Sequence, residues 1–256
     1  MPIALLPAKS NANATAKIVH RGAVNANGLL AALPAAAMER WTSHLEPVEL
    51  PLAAVLYESR QIENHVYFPI SGIVSLLYTM KNGDSAEIAV VGREGMVGIS
   101  LIMGGNSTPS RAVVQSAGKG FRLQAQFIKH EFAKSAPVSS LLLRYTQALI
   151  TQMSQTAVCN RHHSLDEQLC RWLLLSLDRL PGDELVMTQE LIANMLGVRR
   201  GGVTEAALKI QKAGLISYVR GRINVLDRVG LEARCCECYA VVKNEYDRLL
   251  PGIERR

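Results

Sequence analysis

Basic residues concentrate in one segment of this 256-residue chain, residues 197–226. The segment holds six basic residues and one acid, whereas the rest is nearly balanced apart from Lys9, Lys17 and Arg21. The basic residues are Arg199, Arg200, Lys209, Lys212, Arg220 and Arg222, and the acid is Glu205. Such a localised patch suits binding to the phosphate backbone of a nucleic acid. Charge alone is equally compatible with an ordinary solvated basic surface.

Three side chains of the same segment have the chemistry to distinguish bases. An arginine such as Arg200 pairs with guanine, a carboxylate such as Glu205 accepts from cytosine, and Thr204 can bond to either type of edge. Cations without such partners would bind nucleic acid without preference. The segment therefore predicts sequence-specific contacts as well as phosphate contacts.

The cysteines are a second set of residues with potential chemistry, because thiols bind soft metals and change oxidation state. The five are Cys159, Cys170, Cys235, Cys236 and Cys238. Zinc would require a second ligand pair beside the Cys-Cys-Glu-Cys run, and none is near in sequence. His162 and His163 adjoin Cys159, but neighbouring residues of a helix point in different directions. We expect buried thiols and a solvated histidine pair, with no metal or cofactor; a redox or metal role is the alternative.

The elements that position the basic residues are two short helices and a hairpin. Thr188 is a good N-cap, and Gly197 is a typical residue after a helix end. Two apolar stripes at helical spacing predict the buried faces, the first formed by Leu191, Ile192, Met195 and Leu196, the second by Val203, Ala206, Ala207 and Ile210. Gly214 ends the second helix, and two strands flank Arg220-Gly221-Arg222. Two crossing helices joined by a glycine turn are a standard way to place a helix in the major groove.

Between residue 29 and the basic segment, the sequence predicts mainly short strands, followed by long helices. Leu29 to Thr42 predicts a helix broken at Pro34, and several short strands between Leu45 and Leu123 predict a barrel or jelly roll. Asn82-Gly83 predicts a hairpin with a type I′ turn. A long helix follows Pro137, and Ser164 with Glu167 forms a capping box for the next one. The long helix carries a stripe that we expect to pack against a second copy: Leu141, Leu142, Tyr145, Leu149, Ile150, Met153, Thr156 and Ala157.

One segment begins at Thr188-Gln189, continues through Ile192-Ala193 and Leu196-Gly197, and reaches Gly214-Leu215-Ile216. It resembles the winged helix-turn-helix of the Crp/Fnr family of bacterial transcription regulators. The resemblance extends over residues 28–227 and implies an α+β fold. It implies a disordered lead-in (1–27), an antiparallel β-roll or jelly-roll sensor domain (28–135), a dimerisation helix (136–160) and a winged helix-turn-helix domain (161–250). Iron–sulfur members of the family place their cysteines in the N-terminal region, where this chain has none.

The resemblance assigns residues to a DNA interface, with Arg200 at the base-reading position and Glu205 where many members carry a second arginine. Arg199-Arg200-Gly201-Gly202 replaces the family's usual Ser-Arg-x-Thr. Because glycine disfavours helix, we expect either a first turn that stays loose until DNA orders it or a helix that begins near Gly202. The predicted DNA contacts are Thr188, Gln189, Arg199, Arg200, Val203, Thr204, Glu205, Lys209, Arg220 and Arg222.

The family's cyclic-nucleotide site is altered here. Its glutamate, which holds the ribose, is absent because Ile99 follows Gly98, and its phosphate-binding arginine aligns with Ser110. Arg111 lies one residue later, on the opposite face of a strand. A phosphate without its charge partner is costly to bury, so we expect no tight binding of cyclic AMP. The degenerate pocket comprises Gly92, Glu94, Gly95, Gly98, Ile99, Ser100, Ser110 and Arg111.

Composition adds limits to function. A 48% hydrophobic and 20% charged composition is that of a globular protein, and no apolar run is long enough to span a bilayer. No hydrolase, P-loop or metalloprotease motif is present. The sequence predicts a cytoplasmic, non-enzymatic, homodimeric regulator that binds an inverted repeat in double-stranded DNA and contacts RNA polymerase. The alternative is a ligand- or redox-sensing protein that acts through protein partners and retains a vestigial DNA-binding unit.

Overall fold

The N-terminal half of the protein is an antiparallel β-roll. The structure is a computed structural model and describes residues 21–253. One sheet has the strand order β1-β7-β3 and the other β2-β6-β4-β5. The strands are β1 (Glu46–Leu50), β2 (Val55–Tyr57), β3 (His65–Pro69), β4 (Ile73–Thr79), β5 (Ser85–Val91), β6 (Arg111–Ser116) and β7 (Gly118–Gln124). The predicted roll is therefore confirmed.

Alternation along the strands places the apolar core between the two sheets. In β3, Val66 and Phe68 are fully buried while Tyr67 between them is only half-buried. The β4–β5 hairpin forms as predicted, but its turn differs, because Gly83 has a positive φ of 93° and Asn82 does not. Asn82 instead accepts a hydrogen bond from the Asp84 amide through its side chain. A type I′ turn needs positive φ at both central residues, so that prediction is wrong.

Three short helices precede the roll: α1 (Arg21–Val24), α2 (Gly28–Ala31) and α3 (Ala35–Thr42). The break between α2 and α3 lies at Pro34, as predicted. Val24 and Asn27 are fully buried, and the Asn27 amide donates to the carbonyls of Pro69 and Gly95, both at 2.8 Å. The prediction of a disordered lead-in is thus wrong for residues 21–27, since these contacts fasten the segment to the roll. Residues 1–20 lie outside the described residues.

Helix α4 (Ala125–Lys134) leads from the roll into the long helix α5 (Ala136–His162). Leu141, Leu142, Tyr145, Leu149 and Thr156 of the predicted interface stripe are buried within their own chain. Part of the cover comes from the C-terminal helix α10 (Cys238–Leu249), which runs back along α5. The expectation that this stripe packs against a second copy is therefore wrong for these five residues, whereas Ile150 and Ala157 are exposed and Met153 is partly exposed. The helix faces its own roll and C-terminus with that side.

The C-terminal half contains the predicted winged helix-turn-helix. Its elements are α6 (Leu165–Leu177), β8 (Glu184–Val186), α7 (Gln189–Leu196), α8 (Arg200–Lys212), β9 (Ile216–Val219), β10 (Arg222–Val225) and α9 (Arg228–Arg234). The capping box at Ser164 and Glu167 is present, and it separates α6 from α5. Strand β8, which the sequence pattern did not indicate, pairs with β10 and completes a three-stranded wing.

Two buried polar contacts join the roll to this half. Glu94, just after β5, accepts from the Arg179 guanidinium at 2.7 Å, and both side chains are 0% exposed. Glu87 of β5 accepts from the Trp172 indole at 2.9 Å and from the Ser75 hydroxyl. Burial raises the pKa of Glu87 to about 7. The two halves are thus connected by interactions that depend strongly on charge.

Candidate nucleic-acid interface and ligand cavity

Helices α7 and α8 cross in the helix-turn-helix arrangement. The Thr188 hydroxyl caps α7 by accepting from the Leu191 amide, and Gly197 ends the helix in the left-handed conformation with φ 67°. The side-chain amide oxygen of Gln189 accepts from the Thr204 hydroxyl at 2.7 Å. This bond links the start of α7 to the first turns of α8. It sets the position of the helix that would enter the groove.

Two predictions for these helices are wrong. Leu191, expected in the buried stripe of α7, is 40% exposed. Val203, expected among the DNA contacts, is 0% exposed because it lies on the inner face of α8 with Ala206, Ala207 and Ile210. A residue on that face cannot reach a base from the groove. The remaining predicted contacts on α8, namely Arg200, Thr204, Glu205 and Lys209, are exposed or partly exposed.

The outer face of the interface is rich in cations. Among residues 21–253, no ion pair involves Arg199, Arg200, Lys212 or Arg220. Lys209 pairs with Glu205 at 3.1 Å, one turn apart on α8. Such exposed pairs contribute little free energy and separate readily when a phosphate competes. The face therefore attracts polyanions.

The wing presents Arg220 at its tip. Arg220 and Gly221 both have positive φ, 50° and 79°, which is the backbone signature of a type I′ hairpin. An arginine in this region is uncommon, and the tight turn holds its side chain out in solvent. Arg222 follows on β10 and pairs with the exposed Glu184 at 2.6 Å.

A cavity of about 310 Å³ lies between α8 and the wing. It is lined by Thr188, Gln189, Arg200, Tyr218, Arg220 and Gly221. Four of these residues were predicted DNA contacts and Gly221 was placed in the predicted hairpin, but Tyr218 was missed. Its hydroxyl donates to the Met187 carbonyl at 2.8 Å, so it braces the base of the wing beside Arg200. An aromatic residue in a short strand carried no distinguishing signal.

The two glycines at the start of α8 have different surroundings. The helix begins at Arg200, so both lie within its first turn, and the alternative of a helix that begins near Gly202 is wrong. A Cβ at Gly201 would meet nothing within 4 Å, whereas a Cβ at Gly202 would lie 2.8 Å from Leu165. Gly202 therefore permits close packing against α6, and Gly201 faces outward.

We expect Gly201→Ala to raise the free energy of unfolding by up to about 1 kcal/mol, because alanine favours helix more than glycine does. Gly202→Ala is the matched control, and it should gain less since Leu165 must move aside. Urea denaturation of the two variants measures the difference. An equal gain at both positions would contradict the packing role assigned to Gly202.

A second cavity, of about 340 Å³, lies in the β-roll beneath α5. Of the predicted pocket residues it is lined by Gly98, Ile99, Ser100 and Ser110. The rest of its wall is largely apolar, with Leu76, Ile88, Met96, Met103, Leu149, Ile150 and Met153 among the lining side chains. Arg111 does not line it, since its guanidinium bonds to Glu58 at 3.0 Å on the other side of β6. Among residues 21–253, no cation lines the cavity where a phosphate would bind.

Gly92, Glu94 and Gly95 were also expected in the pocket, and the structure places them elsewhere. Glu94 pairs with Arg179, and a Cβ at Gly92 would lie 2.7 Å from the Cβ of Arg179. A Cβ at Gly95 would overlap the ring of Tyr145 on α5. These residues allow the loop after β5 to pack tightly against α5 and the C-terminal half. Their role is structural contact between the two halves.

A cluster of potential metal ligands forms where the C-terminal end of α5 meets the junction between α9 and α10. The ligating atoms of Cys159, His163, Cys236 and Cys238 all lie within 4.8 Å of one another. The expectation of a solvated histidine pair is wrong for His163, whose side chain is only 17% exposed. His162 does lie in solvent. Sequence reasoning missed the cluster because its two halves are more than 70 residues apart.

Within residues 21–253, no helix combines the length and the apolar character that crossing a membrane requires. A β-roll joined by a long helix to a winged helix-turn-helix with a cationic outer face defines a DNA-binding transcription regulator. The model of the cyclic nucleotide-binding domain matches residues 47–135, and that of the Crp-like helix-turn-helix domain matches residues 167–234. Together they cover more than half of the chain, which belongs to the Crp/Fnr family, a family of transcriptional regulators and not of enzymes.

Solved structures share the fold at low sequence identity. A protein from Eubacterium rectale assigned to the Crp/Fnr family of regulators superposes with a TM-score of 0.65 and 21% identity, covering 82% of this chain and 98% of that one. FixK2 from Bradyrhizobium japonicum gives 0.64 and 14%, covering 75% and 98%. The c-di-GMP-responsive regulator CLP from Xanthomonas campestris gives 0.60 and 16%, covering 75% and 99%. No curated protein matches the chain.

Proposed function

We propose that this protein is a homodimeric transcription regulator that binds an inverted repeat in DNA with sequence preference and does so without cyclic AMP. The observation that carries the proposal is the exposed face of α8, where Arg200, Thr204 and Glu205 stand beside cations that no ion pair among the described residues engages. Those cations supply phosphate contacts, and the three side chains supply base contacts.

A second copy of the chain would pair along α5. The side of α5 opposite its buried face carries an exposed seam at alternating spacings of four and three residues: Leu143, Gln147, Ile150, Ser154, Ala157 and Arg161. Leu143 and Ile150 are 53% and 45% exposed, which is unusual for aliphatic side chains on a helix of 27 residues. A heptad seam of this kind matches a parallel helix pair. Such a dimer presents two α8 helices to half-sites about one turn of DNA apart.

In vitro selection tests the function directly. The full-length protein is incubated with a random pool of DNA duplexes without added effector, and bound duplexes are amplified and sequenced. We expect enrichment of an inverted repeat with half-sites about 10 base pairs apart. Retention of all sequences alike would contradict the proposal and favour a protein that acts through other partners.

Arg200→Ala tests the base-reading assignment. On the selected site it should cost about 1–3 kcal/mol of binding free energy and relax preference at one position of the half-site. Arg222→Ala is the matched control, since a wing arginine that contacts phosphate should weaken all DNA alike and lower the salt dependence. Fluorescence anisotropy with specific and random duplexes separates the two effects. Identical behaviour of the two variants would refute the roles assigned here.

We expect no saturable binding of cyclic AMP or cyclic GMP in titration calorimetry, because no cation lines the roll cavity. Ser110→Arg supplies the control: it places a guanidinium at the cavity wall and should bind cyclic nucleotides more tightly than the native protein. Micromolar binding by the native protein would contradict the expectation.

A further inference from the structure

The cluster of Cys159, His163, Cys236 and Cys238 is not used by the proposed DNA-binding function. Cys159 and His163 are four residues apart at the C-terminal end of α5, so their side chains lie on one face of the helix. Cys236 lies between α9 and α10, and Cys238 is the first residue of α10. The fold of α10 back along α5 brings the two pairs together.

The distances fit a tetrahedral metal ion. The Cys159 and Cys236 sulfur atoms are 3.6 Å apart, and the Cys238 sulfur is 3.4 Å from Nδ1 of His163. With Zn–S bonds of about 2.3 Å and Zn–N bonds of about 2.1 Å, the edges of a tetrahedron are about 3.8 Å for two sulfurs and about 3.6 Å for sulfur and nitrogen. Each observed separation is within a few tenths of an ångström of its edge. All four ligating atoms lie within 4.8 Å of one another, so small side-chain rotations would bring them to the corners of one tetrahedron.

Neighbouring polar groups hydrogen-bond to the potential ligands and orient them, as such groups do around metal sites. Glu237 lies 3.4 Å from Nε2 of His163, so it favours a proton on Nε2 and leaves Nδ1 free for coordination. Gln155 donates to the Cys238 sulfur at 3.2 Å, a contact that favours the thiolate. All three cysteines are buried, which restricts access of water to the sulfur atoms.

Charge balance points the same way. Three thiolates, a neutral imidazole and a divalent cation carry a net charge of minus one. Arg171 of α6 is 3% exposed, and its guanidinium donates to the Thr156 hydroxyl of α5 at 3.0 Å, one turn before Cys159. No ion pair among the described residues includes Arg171, and its Nε has no hydrogen-bond partner there. A buried cation beside the cluster offsets the negative charge that a loaded site would have.

We infer that Cys159, His163, Cys236 and Cys238 bind a zinc ion. Three cysteines and one histidine in a closed tetrahedron are a ligand set of structural zinc sites. The ion ties the end of α5 to the junction between α9 and α10, beside the break at Ser164 where the chain enters the DNA-binding half. Metal binding thus fastens the region about which the two halves of the protein would move.

The test uses the full-length protein purified under reducing conditions. We expect a stoichiometric amount of zinc by elemental analysis. Replacement by Co²⁺ should give the intense visible d–d bands of tetrahedral cobalt and a thiolate-to-cobalt charge-transfer band. Cys236→Ser and His163→Gln should lose or shift these bands. Cys170→Ser is the matched control, because Cys170 is equally buried but outside the cluster, and its spectrum should equal that of the native protein.

The inference fails if native protein with all five thiols reduced takes up no Co²⁺ with a tetrahedral spectrum. It also fails if Cys170→Ser loses the bands to the same extent as Cys236→Ser. The readout on native protein does not depend on whether the variants fold. Because no DNA is present, the outcome is independent of the proposed DNA-binding function.

Discussion

Ile150→Glu is expected to convert the protein into a monomer and to lower affinity for its inverted repeat by about 100-fold to 10,000-fold. Ile150 lies at the middle of the exposed seam of α5 and is 45% exposed in the single chain, where part of its side chain lines the roll cavity, so a glutamate there can direct its carboxylate to solvent. In a dimer it would bury two like charges against each other. Loss of the second half-site removes the gain in effective concentration that links two binding events.

Analytical ultracentrifugation and anisotropy on the selected repeat measure both parts of this prediction. Arg144→Glu is the matched control, since Arg144 is exposed on the same helix but outside the heptad seam. It changes the net charge more than Ile150→Glu does, and we expect it to remain dimeric. A dimeric Ile150→Glu variant with native affinity would show that the copies meet elsewhere or that the chain binds DNA alone.

Glu94→Gln is expected to lower the free energy of unfolding by about 3–5 kcal/mol, because it leaves the Arg179 guanidinium buried without a counter-ion. Arg179 and Glu94 are both 0% exposed and bond at 2.7 Å. The contact joins the loop after β5 to the end of α6, so its loss also loosens the two halves of the molecule.

Glu46→Gln provides the comparison, because Glu46 pairs with Arg122 at the same distance of 2.7 Å but with both side chains 40% exposed or more. That change should cost less than about 1 kcal/mol, since solvent screens the pair. Urea denaturation of both variants gives the two values. Equal losses would show that burial of the Glu94–Arg179 pair does not determine its contribution.

The helix-turn-helix was predictable because its signals are local. Thr188 caps α7 and Gly197 ends it with the positive φ that glycine accepts, and each acts within a turn of its own position. The stripe from Val203 to Ile210 is buried as its spacing predicts. Errors arose within the same helices where a position was assigned to the wrong face, as with Leu191, or where a residue of the buried stripe was also counted as a DNA contact, as with Val203. Periodicity indicates which residues share a face but not where its edge falls.

Long-range packing decided what local patterns left open. The apolar stripe of α5 had two candidate partners, a second copy or the chain itself, and helical spacing is the same for both. The chain itself covers most of the stripe, because α10 returns along α5, the Tyr145 hydroxyl donates to the Met96 carbonyl of the roll and Leu149 lines the roll cavity. Glu94 is a similar case, because a glutamate in a glycine-rich loop gave no sign of Arg179, 85 residues later.

By itself the sequence determined the type and order of most elements, the cationic segment of the helix-turn-helix and the missing charge partners of a cyclic-nucleotide site. Caps, alternation and charge are properties of neighbouring residues, so they are legible in the chain. The tertiary structure alone decided which face of α5 is free, which groups connect the halves and which four side chains enclose a metal site. Those outcomes depend on residues 70 or more positions apart, and only the packing of α10 and α6 against the rest brings them within bonding distance.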